Sequence, residues 1–256
     1  MGLGIFVKEL EQELLGGKLD IAVHSLKDVP TQLTDGLVLG AVLSREDPRD
    51  ILVSRDGSKL EDLSPGTKIG TSSPRRAAQL KKYAPQVEVV SIRGNVETRL
   101  RKAQGDEAEG AVLAAAGMIR LGLQEQITEY LPITQFVPPP GQGILAVEAR
   151  ADDHRMLRLL SAIDDLDTRL EATAERAFLA ELGGGCSVPV GAYAQCTGGD
   201  MLMTIFMSTE DGGESVTTQV KGPKDDAVEI AKKAYQALER EGGTALVAAA
   251  RAKQGQ

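Results

Sequence analysis

Tryptophan is absent, and Phe and Tyr together make up only 3% of the 256 residues. Cores must therefore be built from Leu, Val, Ile and Ala, and a base-stacking nucleic-acid surface has almost nothing to stack with. There are two cysteines, Cys186 and Cys196, and no CxxC. That excludes a disulfide framework and a zinc cage, and it fits a reducing cytoplasm. Only two histidines are present, His24 and His154, far apart in sequence, so no metal site is expected. No apolar run approaches the roughly 20 residues that cross a bilayer, so no membrane partner is expected. The opening MGLGIFVKEL lacks a basic leader and a long apolar run, and does not read as a secretory signal.

What the chain does have is charge unevenly spread. The whole carries −8, yet the stretch Lys68–Lys102 holds nine Lys and Arg against two Glu. An acidic protein with one basic island uses that island to hold an anion. Its local pattern suits the task. Lys68-Ile69-Gly70-Thr71 reads as a strand, and Ser72 or Ser73 can cap a helix beginning at Pro74. Arg75 and Arg76 fall in the first turn, where cations oppose the helix dipole and do nothing for helix stability. The unit recurs: 87–92 is a strand, Arg93-Gly94 a turn, and Asn95 the cap of a helix carrying Arg99. Arg75, Arg76, Arg93 and Arg99 are read as site residues. Lys81, Lys82 and Lys102 are read as a solvated face.

Along the chain, Phe6, Leu10 and Leu14 recur at helical spacing and Gly16-Gly17 ends that helix. Strands are expected over 19–23 and 37–43. Between them Pro30 forces Val29 to extended geometry, so Asp28, beside Lys27, belongs on a defined loop rather than in a helix. The polar segment 45–49 is a crossover. From Asp50 to about Val137, short strands (51–54, 67–71, 87–92, 111–115) alternate with helices as in a compact α/β domain. Residues 136–143 form a second crossover, and the strand 144–149 returns to the first sheet. Thr168-Arg-Leu-Glu171 reads as a capping box opening a helix to about Leu182. A strand from Val188 to Cys196, two more over 201–208 and 215–220, and helices over 226–241 and 244–253 complete an α+β domain. No internal repeat is present.

Cys186 follows three glycines, which leave it accessible, but no His is near to make it a nucleophile. An attachment point suits it better than a hydrolase role. Cys196 reads as core packing, His24 as a packed histidine and His154 as a surface one.

Five motifs in order carry a resemblance: His24-Ser-Leu-Lys-Asp-Val-Pro30; Gly70-Thr-Ser-Ser-Pro-Arg-Arg76; Ser91-Ile-Arg-Gly-Asn-Val96 with Thr98-Arg-Leu100; Pro140-Gly-Gln-Gly143; and Gly184-Gly-Cys-Ser-Val-Pro189. The chain resembles the porphobilinogen deaminase (hydroxymethylbilane synthase) family over nearly its whole length. The resemblance implies two periplasmic-binding-protein-like α/β domains around a cleft plus a C-terminal α+β domain: 1–44 with 144–162, then 48–138, then 166–256. It implies a transferase of tetrapyrrole and heme biosynthesis that joins four porphobilinogen molecules head to tail, releasing ammonia. The implied cofactor is a dipyrromethane held by a thioether to Cys186. Asp28, with Lys27, would stabilise the cationic azafulvene and manage protons on the pyrrole nitrogens. Each ring bears an acetate and a propionate, which Arg75, Arg76, Arg93 and Arg99 would hold. Ser25, Thr71, Ser72, Ser73, Gly94, Ala114 and Gln142 complete the implied binding set. A monomer is expected, with no nucleic-acid partner. Family members usually begin with a further strand–helix–strand region, and with a lysine where Leu3 stands, so the first domain is expected to be incomplete, with activity of the chain alone left to experiment. Two alternatives are a non-catalytic carboxylate-binding two-domain module, which needs neither Asp28 nor Cys186, and a nucleic-acid protein, which would show steep salt dependence.

Overall fold

The computed structural model describes residues 3–183 and 189–243, with 245, 246 and 248. The expected attachment point Cys186 and the start of its following strand lie outside the described residues, as does most of the expected helix 244–253.

The chain opens with α1 (Leu3–Leu15), then β1 (Ala22–Ser25), a 3-10 turn (Leu26–Asp28) and β2 (Leu37–Val42). A second region holds β3 (Asp50–Ser54), β4 (Lys68–Gly70), α2 (Pro74–Tyr83), β5 (Glu88–Val90), α3 (Val96–Ala103), β6 (Gly110–Ala114), α4 (Ala115–Arg120) and β7 (Glu129–Tyr130). Next come β8 (Leu145–Arg150), α5 (His154–Leu160) and α6 (Leu166–Glu181). The last region is β9 (Val190–Thr197), β10 (Asp200–Ser208), β11 (Ser215–Pro223) and α7 (Ala227–Leu238).

Three sheets result. β8 returns to lie between β1 and β2, antiparallel to both. A bulge between Leu39 and Ala41 brackets Gly40, where a Cβ would stand 2.5 Å from Leu160 Cδ1. The missing side chain is what lets α5 close on this sheet. The second sheet has the order β5-β4-β6-β3-β7. β4 runs parallel to both its neighbours, whereas β3 is antiparallel to β6 and β7. Both faces are covered: Ile51 and Val53 pack with Leu100 and Met118, while Leu52 packs oppositely with Ile69, Leu80 and Phe136. That is why β3 is apolar without alternation. The third sheet is the meander β11-β10-β9. Met201, Met203, Ile205 and Met207 face α6 and α7, and Phe206 on the reverse face packs with Ala78, Val137 and Tyr193. Methionine fills the gaps that aromatics would occupy elsewhere.

Two crossovers, 43–49 and 137–144, run side by side, joined by Glu46 N–H donating to Gly143 O at 3.0 Å. Glu175 of α6, fully buried, binds both. One oxygen accepts from Gly141 N at 2.6 Å, the other from Ala194 N at 2.8 Å, and Arg45 Nη2 donates to the pair at 2.7 and 2.8 Å.

Two local expectations need correction. Helix α6 begins at Leu166, capped by Asp165, whose carboxylate accepts from Thr168 N at 2.8 Å. Thr168 and Glu171 are therefore not a capping box. The Thr168 hydroxyl accepts from Arg45 N and Glu171 accepts from Cys196 N, so tertiary partners have claimed both side chains. Asp28, expected on a defined loop outside any helix, instead ends a one-turn 3-10 helix. Pro30 still limits it, because the turn stops at Val29 with extended backbone.

Candidate active site

The floor of the cleft is a buried carboxylate. Asp50, at the head of β3, has no exposed surface. Its Oδ2 lies 2.8 Å from Arg75 Nη2, and its Oδ1 accepts from Arg76 Nη2 at 2.7 Å, Arg76 Nε at 3.0 Å and Gln142 Nε2 at 3.0 Å. Burial alone would raise its pKa, but the two guanidiniums outweigh that and hold it at about 2. Burial works against the charge of Arg75, Asp50 favours it, and neighbouring Arg76 opposes it again, with a net downward shift. The N-terminus of α2 supplies both arginines. Ser73 caps it by accepting from Arg76 N at 3.4 Å, and Pro74 takes the first position.

Above this floor lies a cavity of about 360 Å³. Three elements meet there. The end of β1 and its turn bring Ser25, Lys27 and Asp28; the start of α3 brings Gly94, Asn95, Val96 and Arg99; β6 and α4 bring Ala114, Gly117 and Arg120; and the second crossover closes it with Gly141–Ile144. Arg76 reaches it from below. The guanidiniums are pre-oriented by backbone: Arg99 Nε donates to Gly94 O at 2.7 Å and Arg120 Nη2 to Gly143 O at 2.7 Å. A second cavity, about 780 Å³, lies on the other side of the turn, lined by Lys27–Gln32 and by Leu179, Ala180 and Gly183 of α6 and its end. Lys27 and Asp28 border both.

The charged groups on the first cavity's wall are Lys27, Arg76, Arg99 and Arg120 against Asp28. Lys27 is exposed, yet the surrounding chain crowds it. Desolvation, aided by Arg76, lowers its pKa to about 8. Desolvation raises that of Asp28, with Lys27 and His24 pulling the other way. Behind them His24 Nε2 lies 3.1 Å from Glu148 Oε2, both side chains buried.

Of the residues singled out from sequence, the structure gathers Ser25, Lys27, Asp28, Arg76, Gly94, Arg99, Ala114 and Gln142 on one wall. It does not place Thr71, Ser72, Ser73, Arg75 or Arg93 there. Thr71 Oγ1 accepts from Ser73 N at 3.2 Å in the turn before α2, Arg75 is spent on Asp50 and on Val137 O at 2.6 Å, and Arg93 is exposed. Sequence reading missed Asp50, Asn95 and Arg120. Asn95 was read only as a cap, which it also is, accepting from Thr98 N at 2.9 Å. Arg120 ends its short helix with no local signal beyond a cation in the last turn. Among the described residues no group of His, Cys, Asp and Glu could hold a metal.

Fold and site together define an α/β protein with two sheets bridged by paired crossovers and a cavity lined mainly by cations. Residues 1–158 match the family model "Porphobilinogen deaminase, dipyromethane cofactor binding domain", and residues 169–240 match "Porphobilinogen deaminase, C-terminal domain". A porphobilinogen deaminase of Syntrophomonas wolfei subsp. wolfei is 47% identical over 244 residues, covering 95% of this chain and 80% of that protein. One of Geobacillus kaustophilus is 47% identical over 247 residues, covering 96% and 79%. Among solved structures, the second substrate binding domain of a putative amino acid ABC transporter from Streptococcus pneumoniae aligns with 66% of this chain and 74% of its own at a TM-score of 0.39 and 11% identity. The chain belongs to the porphobilinogen deaminase family.

The donor set fits the cofactor that family carries. A dipyrromethane has two rings, each with an acetate and a propionate, and four cations line the first cavity. Guanidinium forks suit such planar carboxylates.

Proposed function

We propose that this chain polymerises porphobilinogen head to tail into hydroxymethylbilane, with loss of ammonia, on a dipyrromethane held by a thioether to Cys186. One observation carries the reading: among the described residues Asp28 is the single carboxylate lining a cavity with four cations, and it borders a second cavity as well. Arg76, Arg99, Arg120 and Lys27 would bind the acetate and propionate arms. Arg75 would act through Asp50, keeping the Arg76 fork in place. Ser25 and Gln142 would add hydrogen bonds. When bound, the dipyrromethane would supply the nucleophilic pyrrole carbon for the first substrate, and each later substrate would join the ring added before it.

Asp28 answers the remaining need. A pyrrole that has lost ammonia carries positive charge, and a lone carboxylate beside it stabilises that charge. Its raised pKa brings it closer to the range where it can also take and return a pyrrole proton. The surrounding guanidiniums could do neither. Lys27, with a pKa near 8, keeps most of its charge at neutral pH and so remains a carboxylate ligand. The second cavity ends at Gly183, three residues before Cys186 in sequence, which is consistent with a tether delivered beside Asp28. The non-catalytic carboxylate module and the nucleic-acid protein are not favoured: neither has a use for a carboxylate at the centre of an anion site.

We assign the lobes as 1–44 with 144–162 and 48–138, and the third unit as 166–256, acting as a cytoplasmic monomer. No helix among the described residues is long and apolar enough to cross a membrane. The test is Asp28→Asn in protein made in cells that supply porphobilinogen. Intact mass should still show the adduct on Cys186 while turnover collapses. Near-normal turnover, or an unmodified Cys186 in the unaltered protein, would overturn the reading.

A further inference from the structure

The loop that follows Asp28 is held by one side chain from another part of the fold. Arg176, on α6, donates from Nη1 to Val29 O at 3.2 Å and from Nη2 to Pro30 O at 2.6 Å and Thr31 O at 3.0 Å. Among the described residues these three carbonyls accept no other hydrogen bond. Nor does any carboxylate accept a hydrogen bond from Arg176. A guanidinium ordinarily finds a carboxylate. This one makes its hydrogen bonds to backbone, with Glu148 close enough to favour its charge, and two nitrogens of its planar fork reach three successive carbonyls where a lysine offers one.

Position adds meaning to the contact. Arg176, Leu179, Ala180 and Gly183 are spaced three, four and seven apart, which puts them along one face from α6 into its C-terminal end. The last three of them form one wall of the second cavity, and the Asp28 loop forms the other. Arg176 is thus the strut at the base of that cavity. The same chain runs on from Gly183 to Cys186, ten residues after Arg176.

We propose that Arg176 is a positioning residue for the polymerisation: it ties the loop bearing Asp28 to α6, and so fixes the carboxylate relative to the segment that carries the cofactor. The inference rests on the roles given above to Asp28 and Cys186. A purely structural strut would stabilise the fold without acting through Asp28, and the two cases separate experimentally.

The experiment compares Arg176→Ala and Arg176→Lys, each alone and combined with Asp28→Asn, in protein isolated with its cofactor. Hydrogen exchange of the peptide covering 27–33 is read first. It should quicken about tenfold in Arg176→Ala, while the three sheets keep their protection, because only one local restraint is gone. Intact mass should show the adduct retained. Turnover should fall about tenfold to a hundredfold with KM within about twofold, since a misplacement near 1 Å costs that much rate. Arg176→Lys should recover little, the charge being kept and the fork lost. Arg176→Ala on the Asp28→Asn background should cost nothing more, the mark of two residues acting as one unit. Unchanged exchange at 27–33, or losses that multiply in the double variant, would overturn the proposal. If instead Asp28→Asn itself kept full turnover, the assignment of Asp28 would fail, and exchange at 27–33 would still decide whether Arg176 holds the loop.

Discussion

Asp50→Asn is the sharpest probe of the cleft floor. The amide keeps nearly the same shape and one acceptor, but it removes the charge and turns one oxygen into a donor facing donors. In the native protein that carboxylate has no exposed surface and meets two guanidiniums at 2.7 and 2.8 Å. Without it, Arg75 and Arg76 are buried cations facing one another. Removing one member of a buried ion network costs about 3–5 kcal/mol. At about 2–4 °C per kcal/mol for a chain of this size, the melting midpoint should fall by about 6–20 °C. Acid provides an independent measure. The carboxyl is held at about 2 in the fold against an ordinary 3.8, so it is a group of depressed folded pKa. Its stabilisation is complete above the unfolded value and drains away as pH falls from about 4 to about 2. The amount is about 2 kcal/mol at 1.36 kcal/mol per pH unit. Urea unfolding followed by far-ultraviolet circular dichroism at pH 7, 4 and 2.5 reads both effects; there is no tryptophan to follow. The variant should start lower and lose less on acidification. A urea midpoint at pH 7 unchanged from the unaltered protein would refute the reasoning.

Two further outcomes follow from the same geometry. Lys27, with a pKa near 8, should lose its charge between pH 7 and 9, so calorimetric affinity for a small tricarboxylate should drop over that range by up to about tenfold, and Lys27→Met should flatten the dependence. A flat profile in the unaltered protein would contradict the lowered value. Gly191→Ala places a Cβ 2.6 Å from Val137 O, where β9 lies against the second crossover through Ala192 N and Pro138 O. Overpacking against backbone should cost about 1–3 kcal/mol in thermal unfolding, and an undisturbed midpoint would show that the crossover yields.

What could be read from sequence was mostly local. Ser73 and Pro74 announced α2, and Asn95 announced α3, because a cap is written within four residues of itself. The return of β8 to the first sheet was legible because an apolar strand without a helical neighbour has to find a partner elsewhere. Asp50 was not legible. A single acid at the head of an apolar strand looks like any strand flank until α2 and the second crossover are brought over it from 26 and 92 residues away. Thr168 and Glu171 misled because their spacing satisfies a cap while Arg45 and Cys196 supply better partners at long range. The Arg75-Arg76 pair carried a clue that local reasoning could have used. Two adjacent arginines in a first turn, both drawn inward, bring two positive charges together, and a buried acid between them is the simplest compensation.

That division of labour bears on how a growing chain is accommodated. Asp50 neutralises the inner arginine and shares the outer one, so the first cavity offers Lys27, Arg76, Arg99 and Arg120 and no more. Four cations balance the four carboxylates of a dipyrrole. Each added ring brings two more, and four additions bring eight that this wall cannot meet. Leaving them desolvated and unpaired would cost several kcal/mol each, so they must be met elsewhere. Two places are open to them: solvent, to which Arg93 beside Gly94 is exposed, and the second cavity across the Asp28 turn, which is roughly twice the volume of the first. On the roles proposed above, rings already joined leave the four cations to the reacting end and pass an acid that stays in place, on a turn that stops before Pro30 and whose following carbonyls a guanidinium holds.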